Sequence, residues 1–411
     1  MPPASGRVPP ALTCLLATMT VLSVLAPPSV AAAVSQDQRR ERAGCSNATS
    51  PPPPVDSSEV PPPGMPTPDP LPVPDEPLGG ERMGECGLVA PPQAPPPPRE
   101  VGAAGWIVAE LGSGDVLAAR NPHGRHRPAS VIKILTALVA VRELEMSDTV
   151  TATRADAATE GSSVGLEPGV TYTVRQVLTG LILQSGNDAA HALARELGGR
   201  REAVRRMNEL ARELGATDTR AATVSGLDGP GMSTSAYDLA LILRAALNDA
   251  EFAEIASTHR AELPSPPGQP PLRIASDSDV VLNYPGALFG KTGFTDDARH
   301  TRVVAAERGG HRLVAVLLRG EHRPVDMSEQ AAALLDHGFR LTGQRRVGEL
   351  VTRRTTTPTA SAPGRTEEHP RQAAGPDEPR GLPPVVGFLG ALLLAALAVL
   401  TAVVLHRRRT R

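Results

Sequence analysis

The chain has 411 residues, a formal net charge of −2, 43 prolines and few aromatic residues, namely one Trp, three Tyr and five Phe. All the aromatic residues except Phe388 lie between Trp106 and Phe339. The length would allow two domains, but this distribution indicates one folded unit of about 250 residues. The balanced charge provides no basic surface for nucleic acid, so we do not expect nucleic acid among the partners.

The first 33 residues have the pattern of a secretory signal peptide. Arg7 precedes an apolar run over residues 11–26, and three alanines at residues 31–33 provide a small-residue cleavage site. We therefore expect residues 1–33 to be removed during export. A retained N-terminal membrane anchor is the less favoured alternative, because the apolar run is short and two prolines follow it.

Residues 34–98 are rich in proline and poor in large apolar side chains, which predicts an extended, semi-rigid spacer outside the cytoplasm. Cys45 and Cys86 lie in this segment. A pair of cysteines in an exported chain suggests a disulfide bond. Two free thiols agree with the sequence equally well, because no predicted core fixes the distance between them.

Residues 99–346 contain the elements of the predicted folded domain. Pairs of short apolar runs around Gly-containing turns predict β-hairpins at residues 105–119 and 301–318. Apolar residues at helical spacing predict helices over residues 131–142, 174–183, 189–197, 201–214, 235–247 and 330–339. Strands at both ends of a helical region predict an α+β fold, in which helices cover one antiparallel β-sheet.

The C-terminal part of the chain predicts a linker, a membrane anchor and a short tail. Residues 347–384 form a Thr-, Pro- and Arg-rich linker, and residues 385–405 form an uncharged run long enough to cross a bilayer as one helix. Residues 406–411 are mostly arginine, which by the positive-inside rule stays in the cytoplasm. We therefore expect a single-pass protein of the cell membrane whose folded domain is extracytoplasmic.

Lysine is rare in this chain, and its two positions are informative. Of 42 basic residues, only Lys133 and Lys291 are lysine. A lysine amine can lose its proton when its surroundings lower its pKa, whereas an arginine guanidinium stays charged. Ser130 precedes Lys133 by one helical turn, so a neutral Lys133 could take the proton of the Ser130 hydroxyl. The alternative for this pair is an N-cap serine beside a solvated lysine.

Two further segments carry candidate side chains. Lys291 and Thr292 stand between two glycines and could bind a carboxylate, the ammonium by its charge and the hydroxyl by a hydrogen bond. The alternative is a tight turn with a surface lysine. Ser185 and Asn187 lie in a polar break between two predicted helices and could face a cleft. The alternative is an ordinary helix–loop–helix joint in which Asn187 or Asp188 caps the second helix.

The three motifs together, S-x-x-K at Ser130, S-x-N at Ser185 and K-T-G at Lys291, resemble the signature of the penicillin-recognising serine enzymes. The residues around them are similar to the D-alanyl-D-alanine carboxypeptidase family, which includes the low-mass penicillin-binding proteins. The resemblance covers residues 102–339. It implies a helical lobe beside the antiparallel sheet, a site between the two, and removal of the terminal D-Ala from peptidoglycan stem peptides.

The resemblance also implies catalytic roles for four residues. Ser130 would be the nucleophile that forms the acyl-enzyme, and Lys133 would be its base. Ser185 would relay a proton towards the leaving group. Asn187 would orient the substrate or Lys133. No metal or cofactor is expected.

Four residues of one segment are implied in substrate binding, and the expected substrate is a stem peptide that ends in D-Ala-D-Ala. Lys291 and Thr292 would hold its terminal carboxylate, and Gly293 and Phe294 continue the same segment. The backbone N–H groups of Ser130 and Phe294 would form the oxyanion hole. β-Lactams, which mimic the D-Ala-D-Ala amide, would act as inhibitors by acylating Ser130.

Three alternatives belong to other functional classes. A class A β-lactamase shares the motifs, but neither Glu167 nor Glu209 matches the glutamate that such enzymes use for deacylation. A zinc-dependent peptidase is disfavoured because the ten histidines include no H-E-x-x-H motif. A catalytically weak wall-binding or penicillin-sensing module would have little reason to keep Ser130 and both lysines.

Overall fold

The computed structural model describes Cys45 and residues 47–351. In this part of the chain the strands are β1 (Leu88–Val89), β2 (Gly105–Glu110), β3 (Asp115–Arg120), β4 (Thr149–Thr151), β5 (Thr171–Thr173), β6 (Arg260–Leu263), β7 (Leu272–Ala275), β8 (Ala287–Thr295), β9 (Arg299–Arg308), β10 (His311–Gly320) and β11 (Gly348–Glu349). The helices are α1 (Lys133–Glu143), α2 (Arg154–Ala157), α3 (Val174–Leu183), α4 (Asn187–Glu196), α5 (Arg200–Leu214), α6 (Ala236–Leu247), α7 (Ala250–Ala256), α8 (Asp279–Asn283) and α9 (Met327–Leu341).

The main sheet is antiparallel and is built from both ends of the folded domain, as the sequence predicts. Its strands follow the order β1-β3-β2-β10-β9-β8, and β11 also pairs with β3. The neighbours β2 and β10 are far apart in the chain, with Ile107 opposite Val316. The two predicted hairpins are β2–β3 and β9–β10. The predicted α+β fold with an antiparallel sheet and helices is therefore confirmed.

Both faces of the central strands are buried. In β2, Trp106 and Val108 belong to a core cluster shared with α9, whereas Ile107 and Ala109 belong to a second cluster shared with α1 and α6. Successive side chains of a strand point to opposite faces, so this apolar run requires cover on both sides. Helices α1 and α3 to α7 contact one another and form the larger helical layer.

The helices begin and end close to their predicted positions. Helix α3 spans the predicted residues, and α4, α5 and α6 differ from the prediction by at most two residues at either end. The first helix differs in its opening turn, because residues 129–132 form a 3-10 helix and α1 continues from Lys133. Strand β8 is absent from the prediction, since its two glycines indicate a turn.

The Pro-rich segment differs from the predicted free spacer, because residues 47–98 lie against the folded domain. We call residues 47–98 the N-terminal strap. Its residues Met83 and Val89 are fully buried, and β1 pairs with β3 at the edge of the main sheet. The folded domain therefore begins well before the predicted boundary at residue 99.

A buried arginine holds the strap through its backbone. The guanidinium of Arg125 donates hydrogen bonds to the carbonyl oxygens of Thr49 at 2.7 Å, Leu71 at 2.5 Å and Pro72 at 2.9 Å. An extended Pro-rich chain makes few internal hydrogen bonds, so its carbonyl oxygens can accept bonds from such donors. Composition predicts a spacer because it counts apolar side chains, whereas much of this attachment uses main-chain oxygens.

Cys45 and Cys86 form a disulfide bond, and their Cα atoms are 5.7 Å apart. This separation lies in the usual range for disulfides. Of the two alternatives left by the sequence, the structure thus has the bonded pair. The bond closes a loop that contains most of the strap, up to residue 85.

Several predicted segments lie outside the described residues: the signal peptide at residues 1–33, the linker beyond residue 351, the apolar run at residues 385–405 and the tail at residues 406–411. The first residues of the predicted linker belong to the domain, because β11 pairs with β3 and Leu350 is buried. Within residues 47–351, none of the helices combines the length and the apolar character that a membrane span requires.

Candidate active site

Ser130 lies in a tight turn at the start of α1. The preceding residue, Ala129, has a positive φ of 49°, which a residue with a side chain seldom adopts. Thr301 Oγ1 donates a hydrogen bond of 2.9 Å to the carbonyl oxygen of Pro128 and ties the turn to β9. A Cβ atom at Gly226 would lie 2.1 Å from the Ala129 carbonyl oxygen, so glycine is required there. The turn is therefore held from two directions.

The Lys133 amine lies beside the Ser130 hydroxyl, as the S-x-x-K spacing predicts. Lys133 Nζ forms hydrogen bonds of 2.7 Å to Ser130 Oγ and 2.5 Å to the carbonyl oxygen of Ser225. The lysine side chain is fully buried. Burial, with the positive charge of Lys291 as a second cause, holds the pKa of Lys133 well below its usual value. A solvated lysine is therefore not what the structure contains, and a neutral amine at this position can accept the serine proton.

Lys291 and Thr292 lie in the extended strand β8 and not in a tight turn. Lys291 is fully buried, and its Nζ atom lies 3.9 Å from Asp277 Oδ2 and donates to the Thr292 carbonyl oxygen at 3.0 Å. Thr292 Oγ1 donates to the same carboxylate at 3.1 Å. Burial lowers the pKa of Lys291, whereas the charge of Asp277 opposes that shift. The two side chains thus share one anionic partner.

Strand β8 passes directly against the Ser130 turn. A Cβ atom at Gly293 would lie 2.4 Å from Thr301 Oγ1 and 2.9 Å from the backbone nitrogen of Ser130. Only glycine allows this approach of the strand to the serine. Phe294, the next residue, is 47% exposed, and its ring lies 4.5 Å from the ring of His300. The K-T-G segment and the serine motif therefore form one continuous site.

Ser185 occupies the short loop between α3 and α4. It has a positive φ of 57° and a buried side chain, and its Oγ atom has no hydrogen-bond partner among the described residues. A buried hydroxyl without a partner is uncommon and costs free energy. Both flanking helices pack against α1, and Asp277 donates its backbone N–H to the Leu183 carbonyl oxygen at 2.8 Å. The loop thus adjoins both the serine motif and the carboxylate next to Lys291.

Asn187 begins α4 but does not cap it with its side chain. Its Nδ2 atom donates to the Glu160 carbonyl oxygen at 2.6 Å, and its Oδ1 atom has no partner within the described residues. The neighbouring Asp188 accepts hydrogen bonds from the backbone N–H groups of Val164, Gly165 and Leu166. The loop is therefore fixed by polar contacts that leave one side of the Asn187 amide available.

Sequence reasoning missed Arg302. It lies in β9 directly opposite Thr292, so both side chains share one face of the sheet. Its side chain is almost fully buried, and burial lowers its pKa, while the charges of Asp326 and Asp277 oppose the shift. Because β8 was not predicted as a strand, no strand register was available to place this arginine beside the K-T-G motif.

The two glutamates considered for a β-lactamase lie elsewhere. Glu167 is exposed, in a loop before β5, and its backbone N–H donates to Tyr172 at 3.0 Å. Glu209 forms an ion pair with Arg205 within α5. Each glutamate thus has a surface role.

Comparison with known proteins gives one consistent result. The family model described as D-alanyl-D-alanine carboxypeptidase matches residues 91–322. D-alanyl-D-alanine carboxypeptidase DacB2 of Mycobacterium tuberculosis is 49% identical over 250 residues, covering 60% of this chain and 85% of the relative. DacF of Bacillus subtilis is 32% identical, covering 57% of this chain and 61% of the relative.

Solved structures agree with these sequence matches. The crystal structure of a D-alanyl-D-alanine carboxypeptidase from M. tuberculosis is 47% identical, covers 64% of this chain and 99% of its own, and has a TM-score of 0.61. The Streptomyces K15 DD-transpeptidase is 27% identical, covers 60% of this chain and 100% of its own, and has a TM-score of 0.56.

Proposed function

The chain belongs to the D-alanyl-D-alanine carboxypeptidase family, and from this premise we propose that it removes the terminal D-Ala of peptidoglycan stem peptides through an acyl-enzyme on Ser130. It is a serine-type carboxypeptidase with the fold of penicillin-binding proteins, and its role is in cell-wall remodelling. The observation that carries the proposed mechanism is the short hydrogen bond between Ser130 Oγ and the fully buried amine of Lys133.

Acylation begins when the neutral Lys133 amine takes the Ser130 proton. The serine oxygen attacks the carbonyl carbon between the two D-Ala residues, and a tetrahedral intermediate forms. The backbone N–H groups of Ser130 and Phe294 stabilise its oxyanion; removing one such donor typically costs about 3 kcal/mol of barrier. The C–N bond then breaks, and the proton taken up by Lys133 passes through the Ser185 hydroxyl to the leaving D-Ala amine, which leaves Lys133 neutral and Ser185 protonated again. Water later attacks the acyl-enzyme and releases the shortened peptide.

The terminal carboxylate of the substrate binds at β8 and β9. Arg302 supplies positive charge and Thr292 supplies a hydroxyl donor on one face of the sheet, and Lys291, the preceding residue of β8, supplies further positive charge. Substrate binding there displaces the hydrogen bond from Thr292 to Asp277. Asn187 offers its partnerless Oδ1 atom to an N–H group of the stem peptide. These contacts select peptides with a free terminal carboxylate.

The test uses a penicillin and a D-Ala-D-Ala peptide with purified protein. Mass spectrometry with peptide mapping is expected to place a penicilloyl group on Ser130, and Ser130→Ala is expected to lose both the adduct and D-Ala release. D-Ala release by Ser130→Ala would contradict the mechanism. Rapid hydrolysis of penicillin would instead indicate a β-lactamase, whereas a long-lived adduct supports the carboxypeptidase.

We also propose the cellular location. Residues 1–33 are cleaved during export, and residues 385–405 anchor the chain as a single C-terminal transmembrane helix. The catalytic domain is then extracytoplasmic, and the tail at residues 406–411 is cytoplasmic. Support comes from the apolar runs and the basic tail of the sequence. Full-length protein should remain in carbonate-washed membranes, and protein lacking residues 385–411 should be recovered in the soluble extracytoplasmic fraction.

A further inference from the structure

We propose that Glu59, in the N-terminal strap, is a positioning residue for the reaction. Glu59 acts on the Ser130 turn through Arg127. This inference rests on the proposed function, because it concerns the rate at which Ser130 is acylated. The hydrogen bonds of the Glu59 carboxylate go to Arg127. The effect of Glu59 is to hold the backbone that presents the nucleophile.

The contact between Glu59 and Arg127 is a two-pronged ion pair that is largely shielded from water. Arg127 Nε and Nη2 both donate to the Glu59 carboxylate, the second at 2.8 Å. The Arg127 side chain is 2% exposed and the Glu59 side chain is 16% exposed. The remaining Nη1 atom donates to the Pro52 carbonyl oxygen at 2.6 Å. Each of the three guanidinium nitrogens of Arg127 thus donates to the strap, in a fixed fork geometry.

Arg127 stands three residues before Ser130, and the intervening backbone is strained. Ala129 has a φ of 49°, a conformation that is unfavourable for a residue with a side chain and persists only where the surroundings enforce it. Thr301 and Gly226 restrain the turn at Pro128 and Ala129. The Arg127 side chain, held by Glu59, fixes the residue where the chain enters this turn.

The strap also contacts the other side of the site. The backbone N–H of Val55 and the hydroxyl of Ser58 donate to the carboxylate of Asp297, the second at 3.2 Å. Asp297 lies in the turn between β8 and β9, shortly after Phe294. One short strap segment, residues 52–59, therefore bridges the backbone before the nucleophile and the end of the substrate-binding strand.

Glu59 is one of three carboxylates that compete for the Arg127 guanidinium. The carboxylates of Glu59, Asp228 and Asp297 lie close together around this one guanidinium. Without Glu59, the Arg127 side chain can turn towards Asp228 and Asp297 instead. The backbone at Arg127, where the chain enters the Ser130 turn, would then shift. Glu59 also lies inside the loop closed by Cys45 and Cys86, and outside the family match that begins at residue 91.

The test compares Glu59→Gln with Glu76→Gln, because Glu76 is an exposed glutamate of the same strap. Acylation of full-length protein by a chromogenic cephalosporin is followed by stopped flow over a range of concentrations. For Glu59→Gln we expect the limiting acylation rate to fall about tenfold, as for a misplaced reacting group, with the half-saturating concentration changed less than about twofold. The amplitude should stay at one adduct per chain, because the effect is on positioning and not on the folded fraction.

Glu59→Asp keeps the carboxylate and is expected to recover most of the rate. Equal rates for Glu59→Gln and Glu76→Gln would overturn the inference, as would a loss of amplitude at an unchanged rate. The unaltered protein separates failure of this inference from failure of the proposed function. If the proposed function is wrong, even the unaltered protein forms no adduct; if only this inference is wrong, the unaltered protein forms the adduct normally. Acylation of a Cys45→Ser/Cys86→Ser variant should be slower than that of the unaltered protein, and adding Glu59→Gln should slow it little further. If the fold reduction of the rate in the combined variant equals the product of the two separate reductions, a shared mechanism is contradicted.

Discussion

Lys133 and Lys291, the two lysines of the chain, both lie in the candidate active site. Both side chains are fully buried, and the positive charge of Lys291 helps to lower the pKa of Lys133. An arginine at either position would stay charged, and at position 133 it could not act as a base. The low pKa of Lys133 therefore depends on its burial first and on its neighbour second.

The charge of Lys291 should be visible in the pH dependence of acylation. Lys291→Gln removes a positive neighbour, which raises the pKa of Lys133, so a higher pH is needed to obtain the neutral amine. The acidic limb of the acylation rate should then move to higher pH. Arg302→Gln is the control, because it weakens carboxylate binding and should leave this limb in place. An unmoved limb in Lys291→Gln would mean that burial alone sets the Lys133 pKa.

The absence of a side chain at Gly293 should be essential. In Gly293→Ala the added Cβ meets Thr301 Oγ1 and the Ser130 backbone, which costs about 1–3 kcal/mol of stability. The displaced serine should be acylated about a hundredfold more slowly. Gly112→Ala, where the Cβ would meet open space, should keep both properties. Urea unfolding and the penicillin acylation rate measure the two effects, and normal values for Gly293→Ala would exclude the close approach.

At the scale of elements, the regular parts of the fold follow from sequence pattern and the site-forming parts do not. The hairpin of β2 and β3 and the helices α3, α5 and α6 could be predicted because their apolar residues recur at the period of the element. Strand β8 was not predicted because its two glycines indicate a turn, whereas in the structure Gly290 makes room for Ser278 and Val281 and Gly293 makes room for the Ser130 turn. The packing of the strap on the domain was not predicted because many of its contacts are made by backbone carbonyls and charged side chains.

The strap should contribute to stability through Arg125. This side chain is almost fully excluded from water. Its Nε atom donates a hydrogen bond of 3.0 Å to Asp218 Oδ1, and its other nitrogens donate to three strap carbonyls. Arg125→Met removes the donor of the three strap carbonyls and leaves Asp218 with His123 alone, and it should lower the free energy of unfolding by about 3–5 kcal/mol. Arg345→Met, at an exposed arginine, should change it by less than about 0.5 kcal/mol. Urea unfolding of both variants decides whether the strap is bound as described.

At the scale of the molecule, the strap makes the folded unit larger than composition suggests. The sheet receives β1 on one edge, and the disulfide of Cys45 and Cys86 closes the loop that runs past the Ser130 turn. Cross-linking a loop of this length is worth about 4 kcal/mol in the chain-entropy account. The strap, the sheet and the helices should therefore unfold as one unit.

A polypeptide of residues 99–351, which starts at the boundary predicted from composition, tests this view. It lacks the disulfide and the partners of Arg125 and Arg127, so its thermal midpoint should lie about 10 °C or more below that of residues 45–351. Calorimetry measures the difference. Equal midpoints would show that the strap lies on the domain without stabilising it.

The sequence by itself determined the family, the antiparallel sheet with its helices, and the positions of Ser130, Lys133, Ser185 and Lys291, because periodic apolar residues and local motifs are encoded over short stretches. The tertiary structure alone decided that Arg302 stands beside Thr292, that Ser225 binds Lys133, and that the Pro-rich strap reaches Arg127. The physical reason is the same in each case. These contacts join residues far apart in the chain, and no local pattern records which distant backbone will lie opposite.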